Sequence, residues 1–152
     1  MTDRNFYADI ARFNSIYKLE ANERPALLPP ERLDHFRDIL SEEVEEVVDI
    51  RAKYAAALER GGGSLAESDR LALLTDMGDW LGDIMVYCAS EARRWGLPLK
   101  DILGIIMESN FSKLDPSGEP IYDHRGKVMK GPNYWKPEPK IAELLASLTA
   151  DS

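Results

Sequence analysis

Six carboxylates stand at, or beside, positions that the helical pattern of this chain reserves for apolar side chains. Between Pro30 and Gly61, Phe36, Ile39, Leu40, Val47, Ile50 and Tyr54 fall on one arc of a helical wheel, the expected core face. Glu43 falls at the centre of that arc and Glu46 at its edge, while Glu42, four residues before Glu46, extends the acidic strip. A second strip follows: from Trp80 to Ala89 the only charged residue is Asp83, with Asp79 and Asp76 before it on the same wedge of helix. A buried, unpaired carboxylate is costly and either neutralises itself or finds a cation. Two packed helices that each offer carboxylates to a shared interior form an oxygen-ligand cage suited to Mg²⁺, with Mn²⁺ as the alternative, rather than to Zn²⁺. Such an ion bridges phosphates to protein, neutralises charge on a leaving pyrophosphate and lowers the pKa of water. Glu45 and Asp49 fall farther round and are expected in solvent; Asp76 is explained as well by the dipole at the helix start.

Basic residues come after the acidic half. Asn110 and Lys113 lie three residues apart at the end of a helix, and Arg125, Lys127 and Lys130 lie in a glycine-bearing loop. Phosphate oxygens need such partners, and lysine is a compact donor for them. Tyr134 and Trp135 either stack on a base or anchor the loop, with anchoring the expectation. Cys88 reads as a small buried hydrophobe, without a base at a telling spacing.

The elements that must position these groups are helices. Apolar residues recur at helical spacing from Asn5 to about Leu19, and a Pro-rich polar stretch runs from Asn22 to Pro30. Pro29 and Pro30 suit the first turn of a long second helix, which Gly61 to Gly63 stop. Ser64 with Glu67 has capping-box spacing and opens a third helix that ends at Gly96; Pro98 starts a fourth, which fades near Lys113. Residues 115–137 predict a loop with a small hairpin from Pro120–Tyr122 and Lys127–Met129, and a last helix is expected from about Glu138 to Leu148. The expectation is an all-α bundle of about five helices in one domain spanning residues 1–152, with a loop or small hairpin before the C-terminal helix.

Composition narrows the function. At 152 residues and 44% hydrophobic, the chain can bury one real core. A formal net charge of −8 argues against a broad grip on nucleic acid or an anionic membrane, but a cation removes the objection to a phosphate substrate. The single cysteine excludes an intrachain disulfide and favours a cytoplasmic setting, and no stretch has the apolar length of a signal peptide or a membrane span. Two long helices with inward-facing acids need more apolar cover than the short terminal helices supply, which hints at oligomerisation.

Taken in order, Glu42-Glu43-Val-Glu45-Glu46, Asp79-Trp-Leu-Gly-Asp83, Ser109-Asn110-Phe-Ser-Lys113 and Gly126-Lys127-Val-Met-Lys130-Gly-Pro-Asn-Tyr-Trp resemble the all-α NTP pyrophosphatases, the superfamily of MazG-like and phosphoribosyl-ATP pyrophosphohydrolase-like proteins. The match covers roughly residues 30 to 140. The resemblance implies a homodimer or homotetramer, Mg²⁺ held by E-x-x-E and E-x-x-D motifs, and hydrolysis of an NTP to NMP and pyrophosphate. It places Glu43 and Glu46 in the first motif, with Glu42 as the extra acid of dUTPase-like members, and Asp83 as the final aspartate of the second. Asn110 and Lys113 match N-x-x-K, which implies contacts to sugar or phosphate. Trp80 stands where that second motif has glutamate, and Asp79 is the expected substitute, on the same face as Asp83.

The expected reaction is in-line attack by water on the phosphorus nearest the nucleoside, with Glu42 or Glu43 orienting or deprotonating the water. The role would be nucleotide-pool housekeeping, with no nucleic-acid or membrane partner. The competing readings are a phosphoribosyl-ATP pyrophosphohydrolase of histidine biosynthesis and a non-catalytic acidic helical interaction module.

Overall fold

The computed structural model describes residues 4–149. Among them six helices run in the order α1 (Phe6–Ile16), α2 (Glu31–Glu45), α3 (Val47–Arg60), α4 (Glu67–Arg94), α5 (Leu99–Phe111) and α6 (Pro137–Thr149). The chain is all-α, as expected, and none of the described helices is long and apolar enough to cross a membrane. It divides into two compact units, one formed by the described residues up to Phe13 with Leu27–Glu91, the other by Asn14–Ala26 with the described residues from Ala92 onward.

The first unit is built on a helical hairpin. Contacts that climb α2 and α3 descend α4: Arg32 with Glu91, Glu43 with Trp80, Lys53 with Asp76 and Arg60 with Asp69. The two arms are therefore antiparallel. Gly62 (φ +61°) and Gly63 (φ +95°) make the reversal, and the Gly63 N–H closes α3 by donating to the Leu58 carbonyl at 2.8 Å. Ser64 does not cap α4 as its spacing predicts. Its hydroxyl donates to the Gly61 carbonyl at 2.9 Å, a local backbone bond that competes with capping.

The long second helix expected from the sequence is two helices, interrupted at Glu46. The Glu46 N–H reaches back three residues to the Glu43 carbonyl (3.3 Å), as Asp49 does to Glu46 (3.1 Å). The Glu43 carbonyl also accepts the indole N–H of Trp80 at 2.8 Å. A side chain that enters the backbone ladder is a recognised cause of a helix break, and here it comes from the opposite arm of the hairpin.

In the second unit α4 ends in a Schellman turn, with Gly96 (φ +65°) donating to Arg93 and Leu97 to Ala92. A Cβ at Gly96 would stand 2.0 Å from the Arg24 carbonyl oxygen, so glycine is required for approach as well as for φ. Residues 22–26 cover this helix end, through Ala26 N–H to Trp95 (3.0 Å) and the Asn22 side chain to Arg94 (2.5 Å). Beyond it, α5 packs against α6. The hairpin expected between them reduces to one antiparallel bridge, Tyr122 with Val128. It is flanked by two matching turns in which an aspartate collects N–H groups. Asp115 accepts from the Ser117 and Glu119 amides, and Asp123 from those of Arg125 and Lys127. The Ser117 hydroxyl and then the Glu119 amide hold the Asp115 carboxyl below the ordinary aspartate range.

Candidate active site

Glu43 is the one residue of α2 that is buried, at 8% exposure. This is what its place at the centre of the apolar arc predicts. Its Oε1 is out of solvent and has no hydrogen-bond partner. Burial pushes the carboxyl above the ordinary glutamate value, and the charges of Glu46, Asp83 and Asp79, in that order, push it further. The other three residues proposed from the sequence as metal ligands thus all lie close enough to act on Glu43. They do not form a finished coordination sphere: among the described residues no group of three or more His, Cys, Asp or Glu side chains is arranged to hold a metal ion.

Glu42, Glu46, Asp79 and Asp83 are exposed. For Asp83 this corrects the expectation of an interior position. The stretch from Trp80 to Ala89 is the most apolar in the chain, yet its Leu81 and Met85 are themselves exposed, so hydrophobicity there does not mark the inside of a single copy. Cys88 is likewise exposed rather than buried.

A cleft of about 270 Å³ opens between the hairpin arms. Glu46, Asp49, Asp76 and Asp79 line it with Lys53, and Ile50 and Trp80 form its less polar wall. Ten residues separate Glu43 from Lys53 on one arm, while four separate Trp80 from Asp76 on the other. The mismatch, about 9 Å of helix rise, coincides with the break at Glu46 and with the cleft. Lys53 Nζ lies 2.7 Å from Asp76, and that bond raises the ammonium pKa above its usual value.

Asp49, expected in solvent, is exposed and also lines this cleft, and Lys53 is the lining residue that the sequence did not single out. Asp49 follows Glu46 by three and Lys53 follows Asp49 by four, the spacing of one helix face, which is the signal that points to them.

The basic candidates lie in the second unit. Lys113 Nζ donates to the Asn110 carboxamide oxygen at 2.7 Å, so the two matched positions are joined. The Gly131 N–H donates to the Lys113 carbonyl at 2.8 Å, which ties the loop to the end of α5. Lys130 stands over the Tyr134 ring at 4.6 Å, and Lys127 is exposed beside the bridge. Trp135 accepts from the Ser109 hydroxyl (2.9 Å) and donates to that of Ser112 (3.2 Å), with Lys140 over its ring. For Trp135 these contacts are those of an anchor, while the ring of Tyr134 meets Lys130 of its own loop.

The crystal structure of a candidate NTP pyrophosphohydrolase from Exiguobacterium sp. 255-15 is similar to this chain, with a TM-score of 0.51 over 98% of this chain and 99% of that one, at 20% identity. The likeness establishes the fold. No protein-family model and no curated protein sequence matches the chain.

Within that fold Trp80, the departure from the resembled motif, acts on Glu43 through the backbone rather than as a ligand. Trp80→Phe keeps most of the ring and removes the donor, and is expected to cost about 1 kcal/mol. Urea unfolding of the two proteins measures this as a lower midpoint at unchanged slope.

Proposed function

We propose that this chain is a divalent-cation-dependent nucleoside triphosphate pyrophosphohydrolase, releasing pyrophosphate and a nucleoside monophosphate in nucleotide-pool housekeeping. The observation that carries the reading is Glu43, a buried carboxylate with an unpartnered oxygen in the field of three further acids. That arrangement is unfavourable by itself and becomes favourable when a cation joins it. The donors are hard oxygens, which fits Mg²⁺ or Mn²⁺. Glu43, Glu46, Asp79 and Asp83 would hold the ion, the last three by turning exposed side chains toward Glu43. Bound there, it would supply charge neutralisation for the phosphate chain and a lower pKa for water.

The chain's own residues have the remaining tasks. Glu42, exposed next to Glu43, or Glu43 itself takes the proton of the attacking water and fixes its orientation. Asn110 and Lys113 keep donors to spare, because their mutual bond uses the carboxamide oxygen and one ammonium proton; these serve sugar and phosphate. Lys127 and Lys130 supply further positive charge for the leaving pyrophosphate. The name of the similar structure supports the same reaction class.

The test is pyrophosphate release from a panel of NTPs, dNTPs and phosphoribosyl-ATP with Mg²⁺ or Mn²⁺. Release from at least one nucleotide, abolished by EDTA, is expected. No release from any of them with either ion overturns the reading.

A further inference from the structure

The acids of the hairpin fall into two groups according to the residue each acts on. Glu46, Asp83 and Asp79 act on the buried Glu43. Asp76, through its hydrogen bond and its charge, and then Asp49 act instead on the Lys53 ammonium, favouring its charged form. Glu46, Asp49, Asp76 and Asp79 line one cleft, and Lys53 brings a cation into it, with Nζ 2.7 Å from Asp76.

The two groups are one step apart along the hairpin. Asp49 follows Glu46 by three residues on one arm, and Asp76 precedes Asp79 by three on the other. Because the arms are antiparallel, both steps lead the same way, by about 4.5 Å of helix rise. Sites that work on a phosphate chain with two metal ions hold them roughly 3.5–4 Å apart, close to that step. The second position is where the Lys53 ammonium stands. Side chains of a helix lean toward its N-terminus, so the Lys53 stem leads back over Asp49, four residues earlier on the same face. Carboxylates gathered in one cleft repel one another, and a compact ammonium among them relieves that repulsion without drawing an ion from solution.

We infer that Lys53 is a built-in cation whose ammonium takes the place of a second divalent ion, so that each chain binds one Mg²⁺ or Mn²⁺ rather than two. The inference rests on the cation-dependent reaction proposed above. Asp76 takes one of the three ammonium donors, which leaves others for a phosphate oxygen entering the cleft. An ammonium neutralises charge but coordinates no water, so activation of the attacking water belongs to the Glu43 end of the site. Asp49 and Asp76 then serve to hold Lys53 rather than to bind metal.

Titration of the full chain with Mn²⁺, read by electron paramagnetic resonance of the free ion, counts bound ions without any turnover. One Mn²⁺ per chain is expected for the unsubstituted protein and for Lys53→Arg, which keeps the positive charge. Lys53→Gln removes that charge and should bind two, the pair showing itself as dipolar broadening of the bound spectrum at a separation of about 4–5 Å. The Lys53 side chain is 63% exposed, so helical circular dichroism should be the same for all three proteins. Two ions on the unsubstituted chain or on Lys53→Arg, or one on Lys53→Gln, overturns the inference and leaves the proposed reaction standing. No ion on any of the three overturns both.

Discussion

Glu43→Gln is expected to lower pyrophosphate release by about 10²- to 10⁴-fold, the usual worth of a positioned acid–base group, while making the metal-free protein harder to unfold. The two effects have one cause. Burial, then Glu46, Asp83 and Asp79, raise the Glu43 pKa above its ordinary 4.5 in the folded chain. Between the unfolded and folded values the folded state holds the extra proton, so linkage makes stability fall as pH rises through that window. Below the unfolded value the penalty is absent; above the folded value it is complete. Glutamine keeps the shape and removes the charge, so in EDTA at pH 8 the variant should melt a few degrees higher. Near pH 4 the two proteins should converge. Mg²⁺ should raise the melting temperature of the unsubstituted protein and leave that of Glu43→Gln almost unchanged, a readout that needs no turnover. A variant that releases pyrophosphate at the full rate, or that melts lower in EDTA at pH 8, removes Glu43 from the site.

That Glu43 is buried was legible because the apolar period of α2 is local. Phe36, Ile39 and Leu40 fix the inward direction within two turns, and no distant residue alters it. The turn at Gly61 to Gly63 and the end of α4 at Gly96 were legible for the same reason: a positive φ is a demand made by the backbone where it stands. The break at Glu46 was not, because its cause is the Trp80 indole, 37 residues from the Glu43 carbonyl it binds. Asp83 was misplaced for a different reason. An apolar run tells that surface must be covered but not by what, and the face of α4 that carries Leu81 and Met85 remains open in one copy. The repeated Asp-x-x-Gly turns at Asp115 and Asp123, eight residues apart, were visible in the sequence and went unread beside the stronger glycine and proline signals.

Arg32→Ala is expected to cost about 3–5 kcal/mol, the usual loss on breaking a nearly buried ion pair. Arg32 Nε lies 3.0 and 3.2 Å from the two carboxylate oxygens of Glu91, and its Nη2 donates to Oε2 as well, so the pair is a two-pronged fork. Its side chains are 16% and 9% exposed. Removing the guanidinium takes this fork of charged donors away from a carboxylate in a place poor in water. Arg37, whose partners Asp34 and Asp38 are open to solvent, supplies the control, since pairs of that kind contribute at most about 1 kcal/mol. The pair also fixes register. Glu43 lies eleven residues beyond Arg32, and Trp80 eleven before Glu91, so one ion pair sets the same three turns on both arms and brings the indole to the Glu43 carbonyl. Urea unfolding of Arg32→Ala, Arg37→Ala and the apolar double variant Arg32→Met/Glu91→Leu tests the argument. Arg32→Ala should lose most, Arg37→Ala little, and the double variant should recover much of the loss because both charges leave the water-poor site together. Equal losses for Arg32→Ala and Arg37→Ala would mean that the pair neither stabilises the hairpin nor sets its register.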